Sequence, residues 1–399
     1  MNVVQLNKHE ATGGAAVAAK RLHKGLRELG VDSEMLVERT ATDHPTVQSR
    51  SRLPNGVSSA ARFGLDKLLA RKEIGFSTGL IPSYVHKQLT ARSLDVAHLH
   101  WLGDGYLSIG DVANIDIPVV WTLHDMWPVT GGCHCPGDCD RYQDSCGCCP
   151  VLGSESGSDL SSRIHRRKAR KWSDVPFHFV APSEWIAEQA RATNIFPDVD
   201  LTVIPNGLDT DRYRPNPGNE TGADSDRTTV LFGAVSATSD PRKGYDLLTE
   251  ALTELSDPAE YTCIVFGDAN PDIGQEKVET ESFGFLPENE LISLYADCDV
   301  MVVPSRQESF GQTALEALSC GTPVVAFDAT GPRDIIVHQE TGYLAEPYDP
   351  VDLGAGIEWV TESDERRERL GRAAREDAIE RFDIERIASL HAELYDRIT

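Results

Sequence analysis

The sequence has no apolar stretch of about 18 residues or more, so no membrane-spanning helix is expected. The N-terminus, MNVVQLNKHEATGG, lacks a positive region followed by an apolar one. It therefore does not read as a signal peptide, and a cytoplasmic location is expected. Basic residues are few: 38 Lys and Arg against 63 Asp and Glu give a formal net charge of −25. That deficit excludes non-specific nucleic-acid binding, which needs a basic surface. Lysine is scarce beside arginine, and the acids are dispersed rather than gathered in a tail. Such a surface suits a high-salt, halophile-like cytoplasm, where screening blunts self-repulsion. The dinucleotide fingerprint G-x-G-x-x-G is missing, and no short-period repeat is visible.

What is present suffices for two packed α/β domains: 399 residues, 40% of them hydrophobic. Val3–Leu6 is a short apolar run. Gly13 and Gly14 follow, then an alanine-rich helix to Leu29 and a strand at Ser33–Glu38. This opening is that of a doubly wound domain. Gly13 and Gly14 serve either a tight turn or the close approach of a ligand to the backbone. Asp95–Leu99 and Pro118–Leu123 read as strands with His98, His100 and His124 near their carboxyl ends, where open α/β sheets bind ligands. His124, followed by Asp125, is the candidate for the site. Residues 214–228 hold proline, glycine and aspartate with almost no apolar side chain and read as a linker. The α/β rhythm then restarts, with strands at Thr229–Ala234, Tyr261–Phe266, Ser282–Phe285 and Val300–Val303. Arg242 and Lys243 precede Gly244 in a strand-to-helix loop. There a planar guanidinium and a point-charge ammonium suit a diphosphate.

Pro304–Phe327 carries the densest chemistry. A polar turn holds Glu308 and Gly311, a helix runs to Cys320, and Val324–Phe327 reads as a buried strand. A helix N-terminus offers free N–H groups and partial positive charge to a phosphate. Glu316 lies about two turns beyond Glu308 at 3.6 residues per turn. It either reaches a substrate hydroxyl or closes a capping box with Thr313.

Six of the nine cysteines fall within Cys133–Cys149. Cys133, Cys139, Cys146 and Cys149 could supply four thiolates to a structural zinc, with His134 a possible substitute and Cys135 and Cys148 surplus. A cytosolic chain favours metal over disulfide. Arg163–Lys171 is the one basic run. It reads as a solvated helix face, with contact to an anionic acceptor or a membrane surface as the functional alternative.

In their order along the chain, Gly13-Gly14, His124-Asp125, Pro205-Asn206-Gly207-Leu208-Asp209, Arg242-Lys243-Gly244 and Glu308-x7-Glu316 resemble the retaining glycosyltransferases of family 4, which have the GT-B fold. Thr122–Pro150 further resembles a polysaccharide-biosynthesis subgroup whose cysteines match positions 133, 139, 146 and 149. The resemblance implies two Rossmann-like domains facing a cleft: 1–213, with the cysteine-rich loop 131–150, and 229–380. The terminal segment 381–399 would pack back on the first domain. It implies a nucleotide-sugar donor and a glycan or lipid-linked acceptor, met in the cytoplasm or at the inner face of the membrane. Arg242 and Lys243 would contact the donor diphosphate, and Phe310, Gly311 and Gln312 would offer backbone N–H groups. Glu316 would bind the ribose, while Glu308 and His124 would contact the sugar as catalytic groups. Gly13, Gly14 and Asn206 would complete the substrate contacts, with no cofactor required for catalysis. A sugar-nucleotide epimerase or a non-catalytic binding protein on the same scaffold are the competing readings.

The acidic surface predicts that the unfolding temperature rises with KCl across the molar range. A melt series in KCl checks this, and full stability at low salt would contradict it.

Overall fold

The computed structural model describes residues 1–49, 59–69, 75–215, 227–268 and 278–399. The chain divides into two compact units, Met1–Pro205 with Ile387–Thr399, and Asn206–Arg386. The first holds a seven-stranded parallel sheet: β1 Asn2–Leu6, β2 Asp32–Val37, β3 Val47–Ser49, β4 Val96–Leu99, β5 Val119–Thr122, β6 Phe177–Ala181 and β7 Asp200–Val203. Their spatial order is β3-β2-β1-β4-β5-β6-β7. The second holds β8 Thr228–Gly233, β9 Tyr261–Phe266, β10 Glu279–Ser282, β11 Val300–Val303, β12 Val324–Phe327 and β13 Gly342–Ala345, in the order β10-β9-β8-β11-β12-β13. β4, β5, β6, β11 and β12 are buried along their whole length, as parallel strands covered on both faces must be. In each sheet the order reverses once, between β1 and β4 and between β8 and β11. The crevice at the carboxyl ends of such a pair is where doubly wound sheets bind ligands.

One face of the first sheet is unusually polar. Gln5, Ser33 and His98 are fully buried on it, beneath helices Gly14–Glu28 and Ile384–Ile398. Buried polar groups are tolerated when bonded, and these are. His98 bonds Tyr395 Oη at 2.6 Å and Thr122 Oγ1 at 2.7 Å. His98 also stacks on His100 and His391, with centroids 4.3 and 5.5 Å apart. On the opposite side, Trp121, Trp127 and Trp172 pack edge-on or tilted at 5.5–6.0 Å. Each such pair adds about 0.5–1.5 kcal/mol beyond its buried area.

Several expectations are revised. Residues 206–213 belong to the second unit: Leu208 exchanges backbone bonds with Phe382 and Ile384, and the Tyr213 carbonyl accepts from Arg375 at 2.7 Å. Residues 216–226 of the expected linker lie outside the described residues. The strand expected at Ser282–Phe285 is Glu279–Ser282 instead; Phe283 and Phe285 lie past its end and are exposed. The basic run lies in helix Leu160–Trp172, but it is not wholly a solvated face. Lys168 is fully buried, 3.9 Å from the Trp127 ring centroid, and donates to the Trp127 and Thr130 carbonyls. Burial pushes its pKa down to about 7.

Burial lowers the pKa of His23, His124 and His391 to about 4, and those of His98 and His100 well below the ordinary value. Below about pH 6.5 the unfolded chain binds protons that the folded chain refuses, so stability present above that pH is lost as the pH falls toward 4. The slope is at most about 1.4 kcal/mol per pH unit for each such histidine. Denaturant unfolding between pH 7 and 5 checks this, and His391→Phe should make the slope shallower.

Candidate active site

The second unit's site forms from two loops at its strand-order reversal. After β8 the chain reaches Asp240, whose carboxylate accepts from the Arg242 N–H at 3.0 Å and starts the single turn Pro241–Lys243. Gly244 then takes φ 71°, and a Cβ there would stand 1.9 Å from the Pro304 carbonyl oxygen. Only glycine lets the loop after β8 lie against the loop after β11. Arg306 ties the two together. Its N–H donates to the Arg242 carbonyl at 2.8 Å, and its guanidinium bonds both oxygens of Asp246 at 2.7 and 2.6 Å. The Asp246 bond holds the Arg306 pKa above its ordinary value.

This arrangement brings Lys243 Nζ to 2.6 Å from Glu308 Oε2, with both side chains about a quarter exposed. Arg242 pairs instead with Asp240 through its Nε at 3.0 Å. Burial opposes ionisation of Asp240, but the Arg242 bond outweighs it and holds the carboxyl below its ordinary value. Helix Gln312–Ser319 begins just beyond, with Gly311 at its N-cap and φ 112°. The first N–H groups of a helix have no partner within it, so those of Gln312–Ala314 face the helix mouth.

The cap position rules out one of the two readings of Glu316. Gly311 is the N-cap and makes no side-chain bond, so Thr313 lies inside the helix and no capping box with Glu316 forms. Glu316 is buried, and its Oε2 accepts from Tyr295 Oη at 2.8 Å. Burial, then the Glu316 charge, holds the Tyr295 hydroxyl well above its ordinary pKa, so it stays a donor. Phe310 buries its side chain against Phe382, which is compatible with the expected role of its backbone N–H alone.

In the first unit, Gly13 is the N-cap of helix Gly14–Glu28 with φ 89°. Its loop is anchored by Glu10, which accepts from the Thr42 hydroxyl at 2.6 Å and the Thr42 N–H at 3.0 Å. These bonds outweigh burial and lower the Glu10 pKa to about 2. His124 follows β5, half-buried, with Nε2 2.9 Å from His100 Nδ1. Asp125 accepts from His134 Nδ1 at 2.6 Å, and His134 Nε2 lies 2.8 Å from Ser77 Oγ. The order Ser77–His134–Asp125 is that of a hydrolase triad, but Ser77 is buried, which closes its hydroxyl to a substrate. Both ring nitrogens of His134 are thus bonded, to Asp125 and Ser77. Asn206 lies half-buried in the loop after β7, at the start of the second unit.

Among the described residues no three His, Cys, Asp or Glu side chains are grouped to hold a metal ion. Cys133, Cys139, Cys146 and Cys149 share one loop region, where the other three act electrostatically on Cys133. A hydrogen bond from Cys133 favours the Cys149 thiolate and lowers its pKa, and Cys146 Sγ accepts from the Gly131 N–H at 3.2 Å. Asp240, Tyr295, Arg306 and His100 complete these arrangements without having been singled out as site residues. Only Asp240, two residues before Arg242, carried a local turn signal.

Residues 12–212 match the family described as Glycosyltransferase Family 4, and residues 220–377 match Glycosyl transferases group 1. The chain belongs to glycosyltransferase family 4. It is 28% identical to a D-inositol 3-phosphate glycosyltransferase of Xylanimonas cellulosilytica, over 97% of this chain and 92% of that one. It is 25% identical to the putative colanic acid biosynthesis glycosyl transferase WcaC of Escherichia coli, over 84% and 85%. Among solved structures it resembles sucrose-phosphate synthase from Thermosynechococcus elongatus (TM-score 0.71, 19% identity, 99% and 98% covered). It also resembles Anabaena HepE in complex with UDP and glucose (TM-score 0.68, 20% identity, 99% of both chains). The fold of this glycosyltransferase is GT-B, two parallel-sheet α/β domains.

Gly244→Ala should destabilise the second domain by about 2 kcal/mol or more, through left-handed strain and the clash with Pro304. An unchanged unfolding midpoint would contradict the loop contact.

Proposed function

We propose that this glycosyltransferase retains anomeric configuration and moves a sugar from a nucleoside-diphosphate sugar to a glycan or lipid-linked acceptor in polysaccharide or glycoconjugate synthesis. The observation that carries the reading is the Lys243–Glu308 pair at the strand-order reversal, beside the N-terminus of helix Gln312–Ser319. Leaving-group chemistry at a diphosphate needs positive charge aimed where negative charge develops. Arg242, Lys243 and the helix N-terminus supply it, with the N–H groups of Phe310, Gly311 and Gln312 directed at the donor. Without donor, Lys243 and Glu308 neutralise each other. A diphosphate carries more charge than one carboxylate, so its arrival draws Lys243 away and frees a Glu308 oxygen for the sugar. Glu316, held by Tyr295, takes the ribose hydroxyls. Gly13, Gly14, His124 and Asn206 are the remaining substrate contacts. The colanic acid relative and the structure of HepE with UDP and glucose support the donor class and the biosynthetic setting. The exposed cations of the basic helix, Arg163, Arg166, Arg170 and Lys171, offer contact to an anionic acceptor or a lipid surface.

Glu308→Ala and Lys243→Ala should each lower turnover by about 10²-fold or more. Unchanged turnover in a folded Glu308→Ala protein would remove that residue from the mechanism. A thermal-shift screen against UDP-, GDP- and dTDP-sugars tests the donor class. A ligand at 100 times its Kd stabilises by about 2.7 kcal/mol, and no shift with any of them would overturn the function.

A further inference from the structure

The His124 ring is the end of a hydrogen-bond chain that crosses the first domain. It begins at the surface, where the Thr46 backbone N–H points at His44 Nδ1 at 3.4 Å. A backbone N–H can only donate, so His44 Nδ1 is an acceptor. The Thr46 hydroxyl, 2.9 Å from the same nitrogen, therefore donates to it. With its one proton spent, Thr46 Oγ1 must accept from His23 Nε2, also at 2.9 Å. Burial keeps His23 neutral, so its Nδ1 is an acceptor and takes the Ser33 hydroxyl proton at 2.8 Å. Ser33 Oγ then accepts from Gln5 Nε2 at 3.3 Å, which turns Gln5 Oε1 toward His100 Nε2 at 2.9 Å. A carbonyl oxygen can only accept, so His100 carries its proton on Nε2. Buried and neutral, it presents a bare Nδ1 to His124 Nε2 at 2.9 Å.

We infer that Gln5, Ser33 and His100 are positioning residues that fix the proton of His124 on Nε2, leaving Nδ1 as a hydrogen-bond acceptor for a substrate hydroxyl. Each link is a donor facing an acceptor, and bonds aligned head to tail in a low-dielectric interior reinforce one another. The members come from β1 and β2, the residues flanking β3, β4 and β5, and helix Gly14–Glu28, so the tautomer of a strand-end ring is set by the packing of the sheet face. A neutral ring in this state does not donate a proton to the substrate. It accepts one hydroxyl, which orients a sugar and discriminates against an analogue lacking that hydroxyl. The consequence for transfer rests on the reading of His124 as a sugar contact; its protonation state does not.

Nitrogen-15 NMR of the full chain with labelled histidine, assigned by the signals lost in His124→Asn, reads the tautomers directly. His124 should be wholly in the Nε2–H form in the wild-type protein, without donor present. In Gln5→Leu, which removes both ends of the amide, His124 should show a mixture of Nε2–H and Nδ1–H forms. Ser33→Ala frees the amide to turn over and should give the same mixture if Gln5→Leu does not fold. A wild-type ring protonated on Nδ1, or a wild-type mixture, would overturn the inference, as would variants that leave His124 wholly Nε2–H. Transfer assays separate the two layers. If His124 binds sugar, kcat/KM for the donor falls roughly three- to tenfold in whichever variant shows the mixture, the loss expected for one hydrogen bond. A tautomer shift with unchanged kcat/KM removes the sugar contact and leaves the positioning chain standing.

Discussion

The structure of the second domain depends on one close approach, between Gly244 and the carbonyl of Pro304. β8 and β11 are neighbours in a parallel sheet whose order reverses between them, so their loops leave the same edge side by side. A side chain at 244 would force those loops apart. Without one, Lys243 meets Glu308, Arg306 grips Asp246 and the Arg242 carbonyl, and the helix after Gly311 starts beside the pair. Lys243, Arg242 and Arg306 each pair with a carboxylate, Glu308, Asp240 and Asp246, so the two loops are ordered by their own ion pairs.

The first domain solves a different problem. It buries histidine, glutamine and serine within a sheet whose strands are otherwise apolar, and unpaired polar groups there would each cost on the order of 1–3 kcal/mol. The cost is offset by near-complete bonding, which spreads constraint across the sheet face. Tyr395, from the last helix, caps His98, while His391 and His100 stack on its ring. The terminal helix is therefore part of the polar layer that ends at His124, not an appendage. His391 Nε2 is the exception, a buried nitrogen without a partner among the described residues.

Much of this was legible in the residues themselves. Apolar runs such as Val300–Val303 and Val324–Phe327 announced buried strands, and Gly321 and Pro323 marked the end of the helix between them. The order of glycine turns, histidine, basic pair and spaced glutamates identified the family. These signals survive in sequence because they are local: strand burial, helix stops and turn chemistry are decided within a few residues.

Partner choice was decided only by tertiary structure. Nothing near Glu316 in sequence indicates Tyr295, and nothing near His124 indicates His100 or Gln5, because those contacts exist only once particular strands and helices become neighbours. The same reason explains the revisions. Thr313 is a plausible cap by spacing but lies past the real one, and Lys168 leaves the solvent to sit over Trp127. Sequence alone determined which chemistries this protein carries and near which strand ends they fall. The packing within each reversed parallel sheet determined which side chains meet there, what each is bonded to, and hence which charges and protons they hold.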